Sequence, residues 1–197
     1  KVGYTNGNYL GKPWEGYINY QLNHNQFSIS ATLEKDAGEP FFTKYNRKGY
    51  DSYTGYLFLQ NLGRLKTLAL GHYRASFGYG LVMNMGFSMG KSMTLSSMNR
   101  KGKGFIKHTS VDEGSYLQGV GATSTLGKQW DLSACYSFRE MDGNVEDQFI
   151  KSLKTDGYHR LTKDLEKKNS FNNHLIGCNL SYNGKYVEYG LTAVYNH

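Results

Sequence analysis

The sequence predicts an all-β protein: an antiparallel up-and-down transmembrane β-barrel, or part of one, of about eight or more strands. Three observations predict it. Apolar residues recur at every second position through several segments, the period of a strand with one apolar face. The connections alternate in length, with short turns at one end and long loops at the other, as outer-membrane barrels do. Apolar residues come singly among Ser, Thr, Asn, Gly and charges, in a chain with 17 Tyr, 10 Phe and 24 Gly but 2 Pro. That composition suits a wall with one apolar and one wet face, and Tyr suits membrane interfaces. A soluble antiparallel sandwich alternates in the same way. It has no reason to sort its loops by length, and the sorting favours the barrel.

The strands follow in order. Residues 14–23 place Ile18, Tyr20 and Leu22 opposite Tyr17, Asn19 and Gln21. Residues 27–34 are the clearest case, with Phe27, Ile29, Ala31 and Leu33 opposite Ser28, Ser30, Thr32 and Glu34. Residues 53–61 and 65–74 form a pair around Leu62, Gly63 and Arg64. Residues 115–126 are thinner, with Val120 and Ala122 among Gly and Ser. Trp130, Leu132, Ala134, Tyr136 and Phe138 alternate with Asp131, Ser133, Cys135, Ser137 and Arg139. Residues 173–182 set Ile176, Cys178, Leu180 and Tyr182 opposite Gly177, Asn179 and Ser181. The last strand carries Val187, Tyr189, Leu191, Ala193 and Tyr195 on one face.

Tight turns are expected at His24-Asn25, Leu62-Gly63-Arg64, Gly127-Lys128 and Asn183-Gly184. Asn-Gly is the strongest of these, because a type I′ turn needs positive φ at both central residues. Long polar stretches cover 36–52, 75–114 and 140–172. The middle one has room for another strand pair. Within it, residues 79–90 are rich in Gly and Met. They read either as a loop folded into the lumen or as a Gly-rich strand with a Met-lined face. A basic run follows at Arg100, Lys101, Lys103 and Lys107, which reads as a solvated loop. Residues 145–168 are the one helical candidate, as a helix-turn-helix in an outer loop, with Phe149, Ile150 and Leu153 on one side.

The net charge of +7 and a pI near 9.2 fit nucleic acid, anionic lipid or acidic sugars as partners without choosing among them. No run approaches the ~20 apolar residues of a transmembrane helix, which leaves barrel strands as the way to span. Cys135 and Cys178 have no metal-type spacing and read as two small buried residues.

Tests for chemistry return little. The six His show no helical pairing and no metal-site spacing with Cys or carboxylates. There is no nucleophile elbow and no P-loop. Glu34, Asp36 and Glu39 cluster as a glycosidase pair would, yet Lys35 lies among them and a polar loop start accounts for them. The expectation is a non-enzyme without cofactor or metal. If the barrel forms, Ser28, Ser30, Thr32, Glu34, Asp131, Ser133 and Arg139 face its lumen, where they tune solutes or fill space.

The stretches Leu33–Phe42, Leu57–Leu81, Lys103–Lys107 with Thr109–Glu113, and Thr155–Arg160 together resemble the barrel portion of large Bacteroidetes outer-membrane proteins. Those are helix-hairpin-helix domain proteins similar to competence factors. The resemblance implies a bacterial outer-membrane location and carries no catalytic residues over. The helix-hairpin-helix segment itself is absent, and so is an aromatic final residue. Residues 1–197 therefore read as a single barrel segment of a longer chain.

Three functional expectations follow. The first is solute passage or binding, or the anchoring of a periplasmic domain, with the lipid bilayer and periplasmic or other outer-membrane proteins as partners. The second is DNA uptake or surface DNA binding. The third is a soluble β-sandwich that binds carbohydrate on Tyr17, Tyr53, Tyr56 and Trp130. A hydrolase built on Glu34 and His72 is a weak fourth.

Overall fold

A computed structural model describes residues 8–85, 102–110, 114–146 and 149–197. Alternation in the sequence becomes one long antiparallel sheet. Its strands are β1 (Gly16–His24), β2 (Phe27–Lys35), β3 (Ser52–Leu62), β4 (Leu65–Ser76), β5 (Gly104–Lys107), β6 (Leu117–Thr125), β7 (Trp130–Met141), β10 (Phe171–Asn183) and β11 (Glu188–Asn196). The spatial order is β1-β2-β3-β4-β6-β7-β10-β11, and β5 pairs with the end of β4. Between β7 and β10 lie a small hairpin, β8 (Gly143–Glu146) with β9 (Phe149–Leu153), and a short helix, α1 (Thr162–Glu166).

The all-β, up-and-down antiparallel topology is as expected. The sheet is open rather than closed into a barrel, and β1 and β11 are its two edges. The short turns β1–β2, β3–β4, β6–β7 and β10–β11 all fall at one end, and the long connections at the other.

Two turns depend on backbone conformations that side chains disfavour. Gly63 takes φ +64 in the two-residue link between β3 and β4. Asn25 takes φ 33 in the link between β1 and β2, a conformation Asn tolerates. The Asn183-Gly184 expectation is corrected, because neither residue has positive φ. Asn183 ends β10, and a longer loop is closed by the Gly184 N–H donating to the Val187 carbonyl at 3.0 Å.

The two faces of the sheet differ. Along β7, Ser133, Cys135, Ser137 and Arg139 are buried while Ala134, Tyr136 and Phe138 are exposed. Along β2, Ser28 and Ser30 are buried while Phe27 and Ile29 are exposed. We call these the covered face and the bare face. Pairing carries a single apolar rung across the bare face through Leu22, Ile29, Leu57, Leu70, Val120, Tyr136, Ile176 and Tyr195.

The covered face is covered by the chain itself. After β4 the chain turns back, Ser76 bridges Asn84, and Met85 donates to the Ala75 carbonyl at 2.9 Å. Met83, Phe77 and Phe105 then join Tyr56, Phe58, Tyr73 and Leu117 in one buried cluster. Glycines on the sheet make room for it. A Cβ on Gly121 would meet the Phe105 ring at 2.7 Å, and one on Gly177 would meet the Met83 methyl at 3.1 Å. Of the two readings for residues 79–90, the part up to Met85 lies over the covered face; residues 86–90 are outside the described residues.

Other expectations change. The region 75–114 yields an extended β4 and β5 among the described residues, in place of a new hairpin of its own. The first half of the helical candidate is the β8–β9 hairpin. Val145, Phe149 and Ile150 favour strands, and the pairing tolerates a register irregularity at Asn144/Val145. Among the described residues of this stretch, only Thr162–Glu166 is helical, with the Asp164 carboxylate accepting the Leu161 N–H at 3.0 Å at its start. Cys135 is buried as expected, whereas Cys178 is exposed. They sit on neighbouring strands one register step apart, since Cys135 pairs with Gly177 and Cys178 with Ala134. Their side chains therefore leave opposite faces, and no disulfide can join them.

Candidate functional site

Two regions concentrate polar groups: the covered face and the loop end of the sheet. On the covered face, Ser28, Ser30, Ser133 and Arg139 are buried, and Thr32, Glu34 and Asp131 are half-buried. Thr32 accepts from Asn19 at 2.7 Å. The Ser133 and Thr123 hydroxyls are 2.8 Å apart. Asp131 accepts from Lys66 at 2.6 Å and Asn183 at 3.0 Å near the short turns. Arg139 stacks on the Tyr116 ring at 3.8 Å and donates to the Tyr116 carbonyl at 2.7 Å. The covered face thus brings the expected residues to one side, though spread along its length.

Of the basic run, Lys107 lies in β5 and reaches Asn23 at 3.4 Å, while Lys103 precedes β5. Arg100 and Lys101 lie outside the described residues. Glu34 and His72 sit on opposite faces of the sheet, because His72 bonds across to Gly55, the register partner of Ala31. They form no catalytic pair. Tyr17, Tyr53, Tyr56 and Trp130 share no exposed face either. Tyr56 is buried on the covered face, and Trp130 packs with Tyr182 and Tyr189 on the bare face near the short turns.

At the loop end, three polar segments converge that sequence spacing did not connect. His159 is buried in the β7–β10 connection. Its Nε2 lies 2.6 Å from Asp142 Oδ2, and its Nδ1 bonds to Asp51 of the β2–β3 loop. Lys168 donates to the other Asp51 oxygen at 2.7 Å. The His159 N–H donates at 2.9 Å to Glu39, whose second oxygen accepts the Asp36 N–H at 2.9 Å. Asn169 N–H donates to Asp142 at 2.9 Å. Residues 10–12 join through Leu10 N–H to the Arg160 carbonyl and Gly11 N–H to the Gly38 carbonyl.

The charges follow from this geometry. Burial alone would lower the His159 pKa, but its bonds to Asp142 and Asp51 hold it up at about 9. Burial would likewise raise Asp51 and Asp142, and the bonds from His159 hold both below the ordinary carboxylate value. Glu39 is pushed upward by burial and by the Asp51 charge. Glu39, Asp51 and His159 could each offer one atom to a metal within a 4.8 Å group. As arranged, however, His159 is an imidazolium with both nitrogens engaged, and a metal ligand must be neutral at the ligating nitrogen. The cluster does the chemistry of an ion-pair network: it ties the β2–β3 loop to the β7–β10 connection.

Sequence reading weighed Glu39 as part of an acidic cluster and missed Asp51, Asp142, His159 and Lys168. Of these, His159 lies in one of the stretches quoted for the resemblance and bonds to Glu39 in another, whereas Asp51, Asp142 and Lys168 lie outside all of them.

Beside the network lies a cavity of about 470 Å³, lined by Tyr45, Arg47, Lys48, Tyr53, Tyr116 and Lys168 among others. Compared with protein-family models, curated proteins and solved structures, the chain matches none.

Proposed function

We propose that this chain is a wall of an outer-membrane β-barrel, with its bare face against lipid and its covered face toward a lumen. The observation that supports it is the inverted burial: serines, Arg139 and Asn179 are covered, while Ile18, Tyr20, Leu22, Ile29, Ile176, Leu191 and Tyr195 are bare. Water gives no reason to expose such a continuous apolar surface. A bilayer does, and barrel strands in lipid alternate apolar-out and polar-in.

The outline of the apolar surface supports the same reading. On β1 and β2 it extends from the common rung toward the loop end, to Ile18 and Leu33, which pair with one another. On β10 and β11 it extends the other way, to Tyr182 and Tyr189. On β10 the loop side holds His174 and the exposed Asn172. The band therefore drifts by about four residues, roughly 13 Å, across a sheet about 34 Å wide. This corresponds to strands tilted on the order of 20° to the band, and tilt is what barrel closure requires. The Trp130, Tyr182 and Tyr189 rings mark one border, where aromatic girdles sit.

The covering segment bears on barrel size. An eight-stranded barrel has room inside for side chains. Here the Met83 and Phe105 side chains, carried by the segment after β4 and by β5, pack over the covered face. The reading is thus a barrel of more than eight strands, in which β1 and β11 continue to further strands. Its role is solute passage or binding, or the anchoring of a periplasmic domain, a reading supported by the alternating faces and the sorted loop lengths.

The test is purification with and without detergent, followed by gel migration of heated and unheated samples. Detergent dependence with heat-modifiable migration is expected. A monomer soluble without detergent would overturn the reading.

A further inference from the structure

We infer that the loop-end cavity is a binding site for a short acidic saccharide, one carrying ring carboxylates. The cavity lies at the loop end, built from the β2–β3 loop with the start of β3, the segment leading into β6, the end of β7 and the β7–β10 connection, so the inference does not require the sheet to lie in lipid. Its volume of about 470 Å³ falls within the range of small-ligand clefts.

The charges of the lining decide the sign of the ligand. Asp51 and Asp142 are matched by His159 and Lys168, two anions against two cations, so that group contributes no net charge. Lys154 is matched by Asp156 and Asp164, which lie outside the lining. Arg139 is stacked on the Tyr116 ring and donates to the Tyr116 carbonyl at the back of the cavity, and Arg47 and Lys48 stand at its rim. Both are exposed, and neither side chain has a carboxylate or hydrogen-bond partner among the described residues. An anion entering the cavity meets these two cations first.

The rest of the lining decides the chemical class. Tyr45 and Tyr53 are 43% and 45% exposed; the Lys44 ammonium lies over one face of Tyr45 at 4.8 Å, and the other ring faces offer apolar surface for a sugar ring. The Tyr53 hydroxyl donates to the Lys48 carbonyl, which holds the ring against the backbone of the β2–β3 loop. Glu140, exposed at the wall, can accept sugar hydroxyls. The same carboxylate opposes closely spaced phosphates more than carboxylates set apart among hydroxyls, so a hydroxyl-rich anion fits better than a nucleic acid. A saccharide with spaced carboxylates answers cation, ring and acceptor together.

The experiment is calorimetric titration of the full chain in detergent micelles with digalacturonate, with neutral lactose and with hexathymidylate. Digalacturonate is expected to bind saturably, about tenfold or more tighter than lactose, and more weakly as salt rises. The double variant Arg47→Ala/Lys48→Ala should lose about tenfold for digalacturonate and leave lactose unchanged. The control Lys163→Ala/Lys167→Ala removes two exposed cations away from the cavity and should bind as the parent does. Lactose binding as tightly, or equal losses in both double variants, would overturn the inference. So would the absence of saturable binding. Tighter binding of hexathymidylate would overturn it in favour of nucleic acid.

Discussion

Gly121 on β6 faces the edge of the Phe105 ring so closely that a Cβ at that glycine would lie 2.7 Å from the ring's Cε1 atom. The contact joins the sheet to the segment that covers it. A side chain there must push Phe105 away or shift β6. Gly121→Val is therefore expected to cost about 1–3 kcal/mol, the range for overpacking. It should also open residues 102–108 to protease under native conditions. Unchanged protection of that segment would mean that it is held by other contacts.

The bare face offers a test with a sharp contrast. Ile176→Arg places a charge in the apolar rung, at a position 53% exposed. In water such a surface change falls within about 0.5 kcal/mol. In a bilayer it costs about 2–4 kcal/mol near the midplane. Reversible unfolding from lipid vesicles measures the difference. A near-zero cost in lipid would mean that this face does not meet the hydrocarbon.

The network around His159 predicts a bounded pH range for loop docking. The folded His159 pKa of about 9 lies above its unbonded value of 6.5. Its stabilising contribution is therefore full below 6.5 and is lost as pH rises through about 9. Asp51 and Asp142 are held below the ordinary 3.8, so their contribution is present above that value and lost as pH falls beneath it. Hydrogen exchange in residues 36–51 and 142–169 should be slowest between these limits and faster on both sides.

Removing the histidine should do more than removing a surface charge. His159→Ala leaves two carboxylates facing a buried gap, a loss on the order of 3–5 kcal/mol of local stability. Asp51→Asn should release the β2–β3 loop while leaving the central strands protected. Equal loss of protection across the whole sheet would show that the network supports the fold globally.

The two cysteines report on the faces separately. A charged thiol reagent should leave buried Cys135 unmodified. Cys178, exposed on the bare face, should react in water but be shielded once the chain is in vesicles, and yield there to a membrane-permeant reagent. Equal labelling of Cys178 by the charged reagent in both settings would place that face in water.

The sheet was legible because period-2 alternation is imposed by the strand itself, and Phe27–Glu34 and Trp130–Arg139 show it without interruption. Loop sorting was legible because loop lengths are written directly in the spacing. Phe149–Leu153 misled, because three apolar residues at those positions fit a helix face and a strand equally well over so short a span. The loop-end network was not legible. Asp51 lies more than 100 positions from His159 and Lys168, and Asp142 lies 17 from His159 across a hairpin, so no local spacing marks the four as one group. The open edges were foreseen only as a consequence of reading a piece of a larger barrel.

Those edges carry a further consequence. Each offers a row of backbone donors and acceptors along nine residues, β1 on one side and β11 on the other. The two strands run in opposite directions, so the β11 edge of one molecule can accept the β1 edge of the next. Such head-to-tail contacts need not close on themselves and then grow without limit. Made by itself in water, the chain would be a monomer for a linear ribbon, and capping either edge with a proline-bearing strand peptide should shorten the filaments.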